Sequence, residues 1–307
     1  MAFSAQDVKN LREMTGVGMM DCKKALTEAD GDIDKAVDWL REKGLAAAQK
    51  KAGRIAAEGI AYADVIDGVG VVVEVNAETD FVAKNELFVE FTKTVALVVA
   101  NENPADIDAL LACKYPGSEL TVEQVQQEKV LVIGENIKVR RFVRYPNGLS
   151  IPYVHMGGRI GVIINMDVPA GLESKDEVIE LGKDLAMQIA AMHPAYRDKS
   201  DVDPSVIEKE KEILIIQAKE DPKNANKPDN IIEKMIIGRV GKYYEENCLL
   251  QQAYVKGDKI SVEQHVAEVS KIVGGKIVIN GFTRFEKGEG IEKKQDDFAA
   301  EIASLVK

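Results

Sequence analysis

Ile60-Ala-Tyr-Ala-Asp-Val-Ile-Asp-Gly-Val-Gly-Val-Val-Val73 sets two apolar, β-branched runs on either side of a turn-rich segment, the pattern of a β-hairpin. Its likeness returns at an offset of 91, where Ile60, Tyr62, Gly70, Val71, Val72 and Val73 match Ile151, Tyr153, Gly161, Val162, Ile163 and Ile164. The repetition predicts two hairpins of one design. It also makes Gly68 and Gly70 turn residues rather than pieces of a dinucleotide-binding fingerprint.

Beyond the hairpins the likeness continues. Phe91, Lys93, Ala96, Ala100 and Pro104 match Leu181, Lys183, Ala186, Ala190 and Pro194 at an offset of 90, which predicts a comparable helix after each hairpin. Thr121, Val122, Glu123, Gln124, Gly134, Ile137, Phe142 and Arg144 match Ser261, Val262, Glu263, Gln264, Gly274, Ile277, Phe282 and Arg284 at an offset of 140, a capped helix followed by a strand. The jump from 90 to 140 means that the second copy carries 50 more residues between Pro194 and Ser261. Within them Asp203-Pro204 opens a helix with Val206, Ile213, Leu214 and Gln217 near one face. Asp221 to Pro228 is a turn, and Ile231, Ile232, Met235, Ile236, Val240 and Tyr243 recur at helical spacing beyond it. Two such helices form an antiparallel coiled-coil arm, a device for meeting a partner or a second copy.

Residues 1–44 read as three short helices, capped by Ser4 and Asp32 and interrupted at Gly16-Val-Gly18. Val8, Leu11, Met14, Ala25, Leu26, Ile33, Val37 and Leu40 are the expected inward positions, and Gly44 the expected C-cap. Residues 45–58 then make a helical tether, and Ile291 to Val306 a terminal amphipathic helix. The fold class is α+β, divided as 1–54, a three-helix domain and tether; 55–147, a first core copy; 148–285, a second copy with its insert at about 197–247; and 286–307, a C-terminal module.

Composition narrows the function. A net charge of -11 and a pI near 5.0 oppose binding to nucleic acid or an anionic membrane. Met1 to Lys9 lacks the apolar stretch of an export signal, no run approaches the ~20 residues that span a bilayer, and the expected location is the cytoplasm. Cys22, Cys113 and Cys248 fit reduced thiols and no zinc framework. No Walker A sequence occurs, His155, His193 and His265 lack ligand spacing, and no nucleophile stands with a base in a recognisable motif. The expectation is therefore a protein-binding protein, not an enzyme, with no cofactor, no metal and no nucleotide of its own.

Asn76-Ala-Glu-Thr-Asp-Phe-Val-Ala-Lys-Asn85, between the first hairpin and its helix, admits two readings. In one, Asp80 caps the helix and Phe81 staples it to the sheet. In the other, Phe81 is an aromatic wedge facing a partner.

Four motifs in order resemble the bacterial elongation factor Ts family, the guanine-nucleotide exchange factors for elongation factor Tu: Thr15-Gly-Val-Gly-Met-Met-Asp-Cys-Lys-Lys-Ala-Leu26, Glu78-Thr-Asp-Phe-Val-Ala-Lys-Asn85, His155-Met-Gly-Gly-Arg-Ile-Gly-Val162 and Gly281-Phe-Thr-Arg-Phe-Glu-Lys-Gly-Glu-Gly-Ile-Glu-Lys293. The resemblance covers nearly the whole chain. It implies a ubiquitin-associated-like three-helix bundle, the duplicated core, the coiled-coil arm and the C-terminal module. It also implies that Thr79, Asp80, Phe81 and Val82 meet the GTPase domain of elongation factor Tu and dislocate its magnesium, that His155 perturbs its phosphate-binding loop, and that Met19, Met20 and Lys23 touch the same domain. The expected partner is elongation factor Tu, GDP-bound or nucleotide-free, and a homodimer through the arm stays open. The alternative is an adaptor that binds through the three-helix bundle.

Overall fold

The computed structural model describes residues 3–221, 227–257 and 259–292. The expected terminal helix, beyond Glu292, and the middle of the expected turn at 221–228 lie outside the described residues.

Three helices open the chain. α1 (Ala5–Thr15) starts in a capping box, Ser4 Oγ accepting from Asp7 N and the Asp7 carboxylate from Ser4 N, and ends at Gly16 with φ +69°. α2 (Met19–Glu28) and α3 (Ile33–Lys51) follow, the latter capped by Asp32. Val8, Leu11, Cys22, Ala25, Leu26, Ala36 and Leu40 are buried together. Met14 departs from expectation at 65% exposed. Gly44 does too: it does not end α3. The helix continues to Lys51, and Gly44 is buried where α3 crosses α7 (Val122–Ile133), its missing Cβ 3.4 Å from Gln127 O. Ala46, Ala47 and Ala48 favour helix, and burial against α7 offsets the roughly 1 kcal/mol cost of a helical glycine. The expected tether is thus packed structure, with Ala48 against the first core.

The core is two sheets packed face to face. β1 (Glu58–Ile66), β2 (Val69–Ala77) and β3 (Lys138–Tyr145) form an antiparallel sheet in that order. β4 (Leu149–His155), β5 (Ile160–Asp167) and β6 (Val278–Glu286) form the other. Ala61, Ala63, Val72, Ile163 and Phe285 fill the seam. The alternate side chains Val71, Val73 and Val75 face a core closed by α5 (Glu86–Glu102) and α7, with the short α4 (Asp80–Ala83) and α6 (Ile107–Ala112) at its margin. Val162, Ile164 and Met166 face α8 (Asp176–Met192) and α11 (Val262–Val273). Burial on both faces explains why β2 and β5 read as continuous apolar runs. Gly161 lets the sheets meet, since a Cβ there would stand 2.7 Å from Ala61 O. Gly70, expected in a turn, is a strand residue paired with Val65 and Tyr145; Gly68, at φ +82°, is the turn residue.

The repeat holds in detail. α5 and α8 begin and end 90 residues apart, and α7 and α11 140 apart. Both of the latter start in a Thr or Ser capping box and end at left-handed Gly134 and Gly274. Arg144 donates to Ala100 O at 3.0 and 3.1 Å, and Arg284 donates to Ala190 O at 3.4 Å. Both sheets carry a bulge at one position, Glu74/Val75 and Asn165/Met166. One register differs from the sequence match. Ile60 pairs with Val75 but Ile151 with Ile164, because β1 and β2 join through Asp67-Gly68 whereas Met156–Arg159 link β4 to β5. A shift of two residues keeps every side chain on its expected face, so the sequence pattern was blind to it.

The insert supplies α9 (Pro204–Glu220) and α10 (Asp229–Asn247), which pack through Leu214, Ala218, Ile232, Ile236 and Val240. Ile213, Gln217 and Ile231, expected near the contact, are instead exposed. At the arm's base Ala195 and Tyr196 both donate to Asn247 O.

Candidate functional site

After Ala77 the chain leaves the sheet, and Thr79 caps the one-turn α4 by accepting from Val82 N at 3.4 Å. Asn85 caps α5 through Leu87 N at 2.9 Å. The segment is held from below by Glu135, the residue after the left-handed Gly134. Its carboxylate accepts from Glu78 N and Thr79 N, both at 3.0 Å, and from Thr79 Oγ1 at 2.7 Å. Glu78 in turn accepts from Asn136 N at 2.7 Å and faces Arg54 Nη1 at 3.4 Å, while Asn136 Nδ2 donates to Arg54 O at 2.8 Å. The end of the N-terminal domain is thereby tied to the same segment.

Pinned this way, Val82 is buried in the first core and Phe81 stands 80% exposed. The stapling contact considered for Phe81 is made by Val82. The capping role considered for Asp80 falls to Thr79 and Asn85, and Asp80 instead pairs with Lys84 at 3.2 Å across an exposed helical turn. An aromatic this exposed represents roughly 1.5 to 3 kcal/mol of burial energy not used in the fold.

The β4–β5 turn lies beside it. His155 is the last paired residue of β4, half-buried, with Nδ1 2.9 Å from the Tyr153 hydroxyl. His155 O accepts from Gly158 N and Arg159 N at 3.2 and 3.0 Å, closing a turn in which Met156, Gly157 and Gly158 all have positive φ. Gly158 cannot be replaced freely, since a Cβ would lie 2.7 Å from Ile60 Cγ2, and its carbonyl accepts from Ala61 N at 2.8 Å. Met156, at the tip, is 68% exposed. Between this turn and α4 runs a groove of about 290 Å³ lined by Ile60, Tyr62, Ala83, Lys84, Val154 and Gly157, among others. Burial, and then the hydrogen bond to Asp64, push the Tyr62 phenol well above its ordinary pKa, so it is a neutral donor. The Phe81 segment and the His155 turn thus border one groove.

Met19, Met20 and Lys23 sit elsewhere, on the exposed side of α2, which packs on α1 and α3. Met19 and Met20 are 42% and 74% exposed. Lys43 pairs with Asp21 on the same helix and lies 5.3 Å from the Trp39 ring centroid.

Chemically the arrangement offers contact surface. Among the described residues no group of three His, Cys, Asp or Glu stands ready for a metal ion. Burial pushes the Cys248 thiol up to about 11, which leaves it unreactive. None of the described helices is long and apolar enough to cross a membrane.

Glu135 and Asn136 were not singled out from the sequence. The signal that points to them is asymmetry between the copies: at the offset of 140, Glu135 and Asn136 align with Gly275 and Lys276, and at 90, Thr79 aligns with Pro169.

A model of the family described as "Elongation factor TS" matches residues 78–289. The chain is 49% identical to "Elongation factor Ts" of Magnetococcus marinus over 308 residues, covering 100% of this chain and 99% of that protein. It is 51% identical to the protein of that name from Clostridium perfringens strain SM101, over 99% of both chains, and 48% identical to that from Syntrophotalea carbinolica, over 100% of both.

Proposed function

Because this chain belongs to the elongation factor Ts family, we propose that it is the guanine-nucleotide exchange factor of elongation factor Tu, acting in the cytoplasm as a binding protein and not an enzyme. The family supports a role in translation elongation. The observation that carries the finer reading is Phe81, 80% exposed on a segment pinned by Glu135.

A GTPase holds GDP through loop amides and a magnesium ion bridging phosphate and protein, so dislodging the ion weakens the whole site. In this reading Asp80 and Phe81, presented by Thr79 and Val82, enter the GTPase domain near its magnesium, and His155 displaces the phosphate-binding loop. Met19, Met20 and Lys23 supply a second contact on that domain. Burial of Phe81 contributes roughly 1.5 to 3 kcal/mol, which at about 1.4 kcal/mol per tenfold weakens GDP only ~10- to 100-fold. The separate surface on α2 and the groove beside His155 therefore have to add binding energy that favours the nucleotide-free partner. Linkage makes the effect mutual: GDP weakens this protein by the factor by which this protein weakens GDP.

The test is release of a fluorescent GDP analogue from purified elongation factor Tu with this protein at catalytic concentration. Acceleration is expected; its absence, with a partner that responds to a known exchange factor, would overturn the reading. An adaptor working through the three-helix bundle is the second reading, favoured by the exposed Met14 and Met20. Met20→Ala separates the two: an adaptor loses its binding, whereas an exchange factor keeps its contact through the Phe81 segment.

A further inference from the structure

Resting on the exchange reading, we infer that Glu135 is a positioning residue for Phe81, the group that fixes how far and in what direction the aromatic is presented. Three donors converge on one carboxylate: Glu78 N, Thr79 N and Thr79 Oγ1, at 3.0, 3.0 and 2.7 Å. Two of them are the backbone amides that lead into α4, so their bonds set the path of the chain two residues before Phe81. The third is the hydroxyl that caps α4 through Val82 N. With Thr79 fixed on one side and Val82 buried on the other, the backbone of Phe81 is held at both flanks while its side chain touches solvent. A wedge that already occupies its bound conformation loses less entropy on entering a partner.

The second copy supplies a control within the same chain. There Gly275 replaces Glu135, Pro169 replaces Thr79, and Gly171 occupies the position of Phe81. Leu172 and Pro169 fill the space instead, a Cβ on Gly275 lying 2.5 Å from Leu172 Cδ1 and 2.9 Å from Pro169 Cγ. Where no aromatic is presented, the clamp is absent too. Glu135 is half-buried and comes after the helix rather than within it, so its removal spares α7.

The experiment is a double-mutant cycle on the full chain, read as the rate of release of a fluorescent GDP analogue from elongation factor Tu. Glu135→Ala is expected to slow exchange about tenfold. Glu135→Gln, which retains an acceptor for the amides and a polar partner for Thr79, recovers most of the rate. In a Phe81→Ala background Glu135→Ala costs nothing further. An equal loss in both backgrounds would overturn the inference by making Glu135 an independent contact, and so would a wild-type rate for Glu135→Ala. A wild-type rate for Phe81→Ala would instead sink the wedge reading, and the inference with it. Hydrogen exchange on the unmutated protein gives a second check: the amides of Glu78 and Thr79 are expected to be protected, and free exchange at both would contradict the clamp.

Discussion

The two connections that follow the central strands of the core are built on one plan and used in opposite ways. After β2, Glu78–Asn85 is clamped by polar groups, buries Val82 and leaves Phe81 in solvent. After β5, residues 168–175 pack Leu172 inward over Gly275 and carry glycine where Phe81 would be. The hairpin turns differ likewise. Asp67-Gly68 closes the first in two residues, whereas the second spends four and raises Met156 beside His155. A duplicated fold gives each copy its own stabilising connections, and the exposed Phe81 and Met156 stand where one copy departs from the other.

The comparison can be broken most severely at the bulge. Glu74 is fully buried, bonded to Arg140 and Arg141 at 2.9 and 2.5 Å and to Gly288 N at 2.8 Å, whereas the second copy has Asn165 there. Copying the second arrangement into the first, as Glu74→Asn, should cost about 2 to 3 kcal/mol in denaturant unfolding, because Arg140 loses its carboxylate partner, Arg141 keeps only Glu289, and the amide of Gly288 loses its acceptor. An unchanged midpoint would mean that the network is neutral.

Next in size is Phe81→Ala, expected to slow GDP release ~10- to 100-fold while shifting stability by less than about 0.5 kcal/mol, as for an exposed side chain. Leu172→Ala should do the reverse. Because the side chain is half-buried, about 1 to 2 kcal/mol of stability is lost, below the usual range for a core leucine, with exchange unaffected.

A further expected effect, read against pH, lies at the base of the arm, which the first copy lacks. Burial would raise the Asp198 carboxyl, but the Ser200 hydroxyl and amide, Gln251 and Arg197 outweigh it and hold its pKa at about 2. A carboxylate depressed in the folded state contributes stability above its unfolded pKa and loses it as pH falls through the folded value. Acid titration of unfolding should therefore show stability falling between about pH 4 and pH 2, with Asp198→Asn flattening that slope.

Much of this was legible in the sequence. The repeat, its offsets, the Ser4, Asp32, Thr121 and Ser261 caps and the position of the insert depend on local pattern, and local pattern survives folding. What escaped depends on contacts far along the chain. Gly44 reads as a stop until α7 lies across it, and Met14 reads as core until the bundle closes without it. Which faces of the two sheets meet, and the two-residue slip between β1 and β4, are invisible to a pattern of period two. Of the site, Phe81 and His155 were legible as motif residues. Glu135 was not, because its partners lie 56 and 57 residues away.

The most direct measurement is the rate of GDP release from elongation factor Tu with the wild-type protein, Phe81→Ala and Leu172→Ala compared at equal folded concentration. Wild type and Leu172→Ala should accelerate release equally, and Phe81→Ala should fall at least ~10-fold behind. Equal acceleration by Phe81→Ala would contradict the claim that the first connection carries the function.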